Sequence, residues 1–230
     1  MLRAGLNAVG TRSEQAPALA AEGTPILSTD ERTGIQAFER TPVTPMRPGD
    51  RERVEFESLR HGPQWLLANF EVVSGQGVAA TVSETRTEAD VVAHLQQTVA
   101  LDREAPGMVI PAQLKTHTSE SLVPWVAEAC GIPDDLGVKG TRGILHSMAS
   151  RAAFLSDPTP RIRIVSTPKH ASWLNQSDIG FSLLVRRLLK RGNVLSQPYL
   201  KERMLGFIAY FHTTFAKPFQ WTYKGKALTI

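Results

Sequence analysis

The segment from Thr167 to Gly192, which reads TPKHASWLNQSDIGFSLLVRRLLKRG, constrains the fold more than any other part of the chain. Its apolar residues recur at helical spacing, which predicts a helix that opens at Asn175 and stops at Gly192. Asp178 stands at the capping-box spacing from Asn175, so a carboxylate lies in the first turn. The apolar positions are Ile179, Phe181, Leu184, Val185, Leu188 and Leu189. The helix thus combines an acidic start, an apolar stripe and a basic far end.

Charge is distributed unevenly along the 230 residues, although the formal net charge is only +4. Residues 161–230 hold 12 Lys and Arg against 2 Asp and Glu, whereas residues 1–160 hold 14 against 20. A basic final third is the electrostatic signature of a surface that binds a polyanion. A solvated helical face with spare lysines and arginines is the alternative explanation.

Cysteine usage and hydropathy exclude several classes of protein. Cys130 is the single cysteine, so the chain can form neither an internal disulfide nor a cysteine-based zinc site. This composition is consistent with a reducing cytoplasm. No run of about 18 apolar residues is present, so we expect no membrane span, and the first residues are too weakly apolar for a signal peptide.

The order of predicted elements favours an α/β domain with one mixed sheet covered by helices. Short apolar runs between turn residues predict strands at 26–30, 34–38, 64–73, 78–82, 108–110 and 161–166, with 34–38 pairing as a hairpin with 26–30. Besides the helix that opens at Asn175, helical spacing predicts helices at 87–100, 118–130, 147–155 and 200–213.

The string Thr-Pro-Lys-His-x-Ser-Trp-Leu-Asn at 167–175, followed by an acid on the next helix, resembles the last catalytic block of DDE-type transposases. The closest resemblance is to the insertion-sequence transposases related to the mariner superfamily, and it extends from about Pro25 to the C-terminus. It implies the ribonuclease H-like fold of retroviral integrases, a mixed sheet flanked by helices. In that fold three acids converge at one end of the central strands.

The same resemblance implies a domain organisation. We expect residues 25–215 to form the DDE catalytic domain, with a surface insertion at about 131–160. Residues 1–24 are then a lead-in, flexible or left from a preceding helix, and residues 216–230 are a basic aromatic tail. Mariner-related transposases carry an N-terminal helix-turn-helix region. The stretch before Pro25 is too short for one, so we expect the chain to be a catalytic-domain piece.

Two acids match the catalytic positions of the family. Asp30 ends the first apolar strand, and Asp178 stands where the family usually has Glu. In the family such acids hold Mg²⁺ or Mn²⁺, and oxygen ligands suit these ions. Each acid also has an ordinary structural explanation, Asp30 as a turn cap and Asp178 as a helix cap. Glu31, next to Asp30, points to the opposite face if the strand continues.

The second catalytic position lacks its acid. When the run from Met108 to His117 is aligned with the family pattern, Ala112 falls where the family has aspartate. Alanine has no ligand atom, so loss of this carboxylate should weaken or displace at least one of two metal ions. We therefore expect strand cleavage and transfer to be impaired. A catalytically inactive DNA-binding remnant is the alternative, and a small enzyme or interaction module that reuses the fold is a third possibility.

DNA is the expected partner, namely the transposon ends and the target. The residues expected to contact it are Lys169, His170, Trp173, Arg186, Arg187, Lys190 and Arg191. Such cations would bind phosphates without reading sequence. Trp173 has an equally ordinary explanation as a core anchor, and His170 as a hydrogen-bonded structural residue. The resemblance further implies a bacterial, nucleoid-associated protein in the cytoplasm, and a homodimer is compatible with it.

Overall fold

The structure, a computed structural model, places a five-stranded mixed sheet between two layers of helices. The strands are β1 (Ile26–Arg40), β2 (Ser58–Glu71), β3 (Gly77–Ser83), β4 (Gly107–Pro111) and β5 (Ile162–Ile164). Their order across the sheet is β3-β2-β1-β4-β5. The structure describes residues 16–40, 48–49, 58–102, 106–111, 119–133, 135–167, 175–190 and 192–217.

Strand β1 lies at the centre of the sheet and joins its two halves. It pairs with β2 in antiparallel fashion and with β4 in parallel fashion, and β2–β3 and β4–β5 extend these two halves. The parallel pairing with β4 covers the first part of β1 and ends where Thr29 faces Pro111. Asp30 therefore lies just beyond the last residue of β1 that pairs with β4.

The predicted hairpin between 26–30 and 34–38 is wrong, because both runs belong to the single strand β1. Both pair with β2, and the register shifts between Arg32 and Ile35. Gly34 lies in this irregularity with φ of 64°, a backbone conformation that residues with a Cβ rarely adopt. The glycine thus bulges the strand instead of reversing it.

The α-helices that follow β3 are α1 (Glu88–Val99), α2 (Leu122–Ala129), α3 (Met148–Ser156), α4 (Ser177–Leu184) and α5 (Gln197–Thr214). The predicted helix at 118–130 begins later than expected, at Leu122, because Pro124 is tolerated in a first turn and not in a helix interior. Helix α4 continues into a π-helical turn, Val185–Leu189. The predicted strands that correspond to β2–β5 and the predicted helices at 87–100, 147–155 and 200–213 are confirmed.

Two apolar clusters hold the helices against opposite faces of the sheet. On one face, α4 and α5 bury Phe181, Leu184 and Met204 against residues of β2 such as Leu66 and Phe70. On the other face, α1, α2 and α3 cover β1, β4 and β5. The second cluster contains Leu155, from the region 131–160 that we expect to be a surface insertion. The alternation of side chains along β1 therefore decides which helical layer each residue meets.

Among the residues that the structure describes, no helix is long and apolar enough to cross a membrane.

Candidate active site

Asp30 lies on the face of β1 that meets α4 and is only 9% exposed. In the β1–β2 register Asp30 stands opposite Ala68, and Ala68 belongs to the cluster under α4 and α5. Its Oδ1 accepts a hydrogen bond of 2.8 Å from the backbone N–H of Glu31. This places a nearly buried carboxyl group at the point where β1 leaves its pairing with β4.

Asp178 lies in the first turn of α4, although the helix does not begin as predicted. The predicted capping box of Asn175 and Asp178 is wrong, because α4 starts at Ser177 and has Gln176 at its N-cap, without a side-chain cap bond. Asn175 instead turns its side chain toward β1, where it finds partners in the sheet. The Asn175 side chain thus connects the start of α4 to β1 instead of capping α4.

A buried set of hydrogen bonds fixes the start of α4 to β1, and we call Ser28, Asn175 and Ser177 the latch. The Ser28 hydroxyl donates to Asn175 Oδ1, and Asn175 Nδ2 donates to the Thr29 carbonyl at 3.0 Å. The Ser177 hydroxyl donates to the Ser28 carbonyl at 2.8 Å, and its N–H donates to Ser28 Oγ at 3.2 Å. All three latch residues are at most 3% exposed. Because each latch residue is next to or near an acid in sequence, the latch brings Asp30 and Asp178 within electrostatic reach of each other, and we call the space between them the cleft.

The two carboxyl groups interact electrostatically. Burial, together with the negative charge of Asp178, raises the pKa of Asp30 to about 7, despite the stabilising N–H of Glu31. Burial also raises the pKa of Asp178, and the positive charge of Arg32 opposes that shift. Arg32 likewise lowers the pKa of Asp30. The structure thus brings together the two acids predicted from the sequence, with a cation beside them.

Glu31 lies on the opposite face of β1, as its place next to Asp30 predicts. Its side chain is 3% exposed, and its Oε1 pairs with Arg86 Nε at 2.8 Å. The guanidinium of Arg86 also stacks over the Trp65 ring at 5.5 Å. Burial raises the pKa of Glu31 and Arg86 lowers it, with burial the larger effect. Glu31 therefore belongs to the packing of the sheet and not to the cleft.

The described residues do not fit a site for two divalent ions. No group of three or more His, Cys, Asp or Glu side chains able to hold a metal ion occurs among them. Asn175 Oδ1 already accepts hydrogen bonds from Ser28 and Ser177. Asp30 and Asp178 then supply two carboxylates. Two divalent ions need more oxygen ligands than that, and one ligand must bridge both ions. Ala112, which follows Pro111 in sequence, falls outside the described residues.

The predicted DNA-contacting residues divide into two groups. Arg186, Arg187 and Lys190 are exposed at the far end of the α4 segment. Arg186 Nε bonds to the Ser182 carbonyl at 3.2 Å, and Arg187 lies 4.6 Å above the Phe215 ring. The other four, Lys169, His170, Trp173 and Arg191, fall outside the described residues.

Sequence reasoning missed Arg32 and the roles of Ser28 and Ser177. Ser28, Asp30 and Arg32 alternate along one strand, so a strand that runs past Asp30 places all three on one face. The predicted hairpin ended the first strand at Asp30, so the prediction did not place Arg32 on that strand. The bonds between Ser28 and Ser177 join positions far apart in sequence, which no local pattern reveals.

Comparison with known families adds to this geometry. A family model described as DDE superfamily endonuclease matches residues 25–201. No curated protein matches the chain by sequence at a significant level.

Several solved structures share the fold. A pre-cleavage Mos1 transpososome matches with a TM-score of 0.52 and 15% identity, over 90% of this chain and 55% of the Mos1 chain. A Mos1 strand transfer complex matches with a TM-score of 0.50 and 13% identity, over 86% and 52%. A Mos1 mariner paired end complex with Mn matches with a TM-score of 0.51 and 12% identity, over 90% and 55%. This likeness confirms the predicted ribonuclease H-like fold, and the chain spans about half the length of these Mos1 chains.

Proposed function

The chain belongs to the DDE superfamily of endonucleases, and from that premise we propose that it is the catalytic domain of a DNA transposase with impaired strand cleavage. The observation that carries the proposal is the approach of Asp30 and Asp178 in one cleft. One acid comes from the central strand and the other from a helix that follows much later in the chain. Neither a turn cap nor a helix cap explains why the two should meet.

The chemistry of the cleft supports a role in phosphodiester cleavage. Both carboxylates resist ionisation because both are partly desolvated, and the negative charge of Asp178 further disfavours the ionised form of Asp30. A divalent cation relieves that repulsion, and Mg²⁺ or Mn²⁺ is the ion that carboxylate oxygens suit. In DDE enzymes such ions supply the charge stabilisation for cutting and joining DNA strands.

The impairment follows from the ligand count. Asp30 and Asp178 supply two carboxylates, and Ala112 offers no ligand atom at the expected second acid position. Losing one of three carboxylates removes part of the several kcal/mol of charge stabilisation that metal ions supply. At about 1.4 kcal/mol for each factor of ten, cleavage should be slower by about 10²–10³-fold than with a complete set.

A second candidate is a catalytically inactive DNA-binding remnant of a transposase. The alanine at position 112 favours this candidate. A site that cannot hold its metal ions cannot cleave DNA, whereas the basic surface does not depend on those ions. The exposed cations Arg186, Arg187 and Lys190 remain available for phosphate contacts in either case.

A cleavage assay on a duplex carrying the element's end sequence separates the two candidates. We expect slow cutting by the wild type with Mn²⁺, faster cutting by Ala112→Asp, and none after Asp30→Ala is added. If Ala112→Asp binds DNA but still does not cut, the chain is an inactive remnant. Robust wild-type cutting that Asp30→Ala abolishes would contradict the impairment and point to a substitute ligand.

DNA binding has its own test, the dependence of affinity on salt. Each phosphate contact contributes about 0.9 to the slope of log affinity against log salt. Arg186→Ala with Lys190→Ala should therefore reduce the slope by about 2. The matched control is Lys139→Ala with Arg142→Ala, two exposed cations paired with acids elsewhere on the surface. Undetectable binding at low salt would instead favour an enzyme or interaction module unrelated to DNA.

A further inference from the structure

Arg32 lies beside the acid pair on the same face of β1. In the register with β2, Ser28 faces Phe70, Asp30 faces Ala68 and Arg32 faces Leu66. These three β2 residues all belong to the apolar cluster that α4 and α5 cover. Side chains that alternate along a strand point to the same face at every second residue. The backbone therefore directs the Arg32 side chain to the cleft that holds Asp30.

Arg32 also lines a cavity of about 180 Å³ between β1 and the end of the α4 segment, and neither Asp30 nor Asp178 is among its described lining residues. Val185 and Leu189 form its helical wall, and Ile35 and Phe38 are among its β1 residues. Arg32 is thus the charged lining residue of a mostly apolar cavity. Its positive charge reaches both acids, because it opposes the rise in the pKa of Asp30 and of Asp178.

We propose that Arg32 supplies the Asp30–Asp178 pair with positive charge that a second divalent cation would otherwise supply, so that this cleft holds at most one weakly bound divalent ion. The inference rests on the proposed function in that the acid pair is its active site. It goes beyond that function, because it assigns to a protein side chain, and not to a second metal ion, the positive charge that offsets the two acids. The alanine at position 112 offers no negative charge and Arg32 supplies a positive one, so both features weaken the attraction for a divalent cation.

Electrostatics gives the expected direction of the effect. A guanidinium and a divalent ion that share a cleft repel each other, and solvent near a protein surface weakens that repulsion. Arginine does not lose its proton in proteins, so the repulsion cannot be relieved by deprotonation. Removing the charge should therefore tighten ion binding, whereas replacing arginine by lysine should not.

Titration of the full chain with Mn²⁺ alone, followed by the electron paramagnetic resonance signal of the free ion, tests the proposal. We expect weak binding to the wild type and to Arg32→Lys, and binding about ten-fold tighter to Arg32→Ala. Arg32→Glu places a third carboxylate on the same face and should bind tighter still. Arg32 is exposed, so these changes should leave the fold intact, which circular dichroism can verify.

Asp30→Asn with Asp178→Asn in the Arg32→Ala background is the matched control, and it should abolish the added binding. Equal or weaker binding by Arg32→Ala, or the same gain with Arg32→Lys, would overturn the proposal. Undetectable binding by every variant at millimolar Mn²⁺ would overturn it as well. Since no DNA is present, failure here leaves the salt dependence of DNA binding, and thus the proposed function, separately testable.

Discussion

The two faces of β1 hold neighbouring acids in different surroundings. Glu31 faces α1, and its carboxylate pairs with Arg86 at 2.8 Å, although burial still raises its pKa. Asp30 faces α4, where burial and the negative charge of Asp178 raise its pKa to about 7. One residue along the strand thus separates an acid paired with a cation from an acid placed near a second acid. Perturbed carboxyl groups of the second kind occur preferentially at functional sites.

Hydrogen bonds, by contrast, tie β1 to its neighbours on both faces. On the α1 face, the Thr29 hydroxyl donates to Asn69, whose Nδ2 donates to Thr98 Oγ1 at 2.6 Å. On the α4 face the latch connects Ser28 with Asn175 and Ser177. The strand is therefore fixed by hydrogen bonds on both faces, while two acids share the α4 face. Rigid support of a destabilised acid pair is the arrangement expected of a preorganised site.

The largest effect should come from removing the charge partner on the α1 face. Arg86→Ala leaves the Glu31 carboxyl, 3% exposed, without its cation, and we expect a loss of about 3 kcal/mol in the free energy of unfolding. Urea denaturation at pH 8 measures it. Arg142→Ala, which removes an exposed arginine paired with Asp135, should cost less than about 1 kcal/mol. Equal losses in both variants would show that Glu31 is not an effectively buried charge.

Breaking the latch should have a slightly smaller effect on stability. Asn175→Ala removes the bonds to Ser28, Ser177 and the Thr29 carbonyl, all buried, and should cost about 2–3 kcal/mol. Asn193→Ala is the matched control, because Asn193 makes an exposed bond to the Arg40 N–H. A loss no larger than in that control would mean that the latch does not fix α4 to β1.

Neutralising Asp30 should stabilise the protein, whereas both changes above should lower the free energy of unfolding. Its pKa is about 7 in the folded chain and 3.8 normally, so the folded state loses stability as pH rises between these values. With chelator present, Asp30→Asn should therefore gain about 2 kcal/mol at pH 8 and nothing at pH 3. Asp178→Asn should act in the same direction, since burial also raises the pKa of Asp178. A gain that is independent of pH would refute the electrostatic explanation.

The smallest effect should come from the polar chain on the α1 face. Thr98→Val leaves the Asn69 amide without the acceptor that lies 2.6 Å away, and should cost about 1–2 kcal/mol. Thr213→Val, which removes an exposed hydroxyl of α5, provides the comparison and should be close to neutral. Thermal unfolding resolves this difference, and no difference would indicate that the buried amide finds another partner.

Much of the architecture could be predicted from the chain alone, because most elements have strong local signals. Thr87 and Asp90 form the capping box that begins α1, and Ser196 with Pro198 begins α5. The prediction failed at Gly34, where a turn residue creates a bulge, since local sequence does not distinguish a bulge from a turn. It failed again at Asn175, whose side chain prefers partners on β1 to the helix end beside it.

The sequence by itself determined which residues carry charge and which segments become strands and helices, since both depend on side-chain chemistry and periodicity. It also supplied Asp30 and Asp178 as candidates through a motif. Only the tertiary structure decided that these acids meet and that Arg32 accompanies them. It likewise decided that Arg86 is the partner of Glu31. The reason is physical, because burial and electrostatic repulsion depend on distances across the sheet, which no local stretch of sequence fixes.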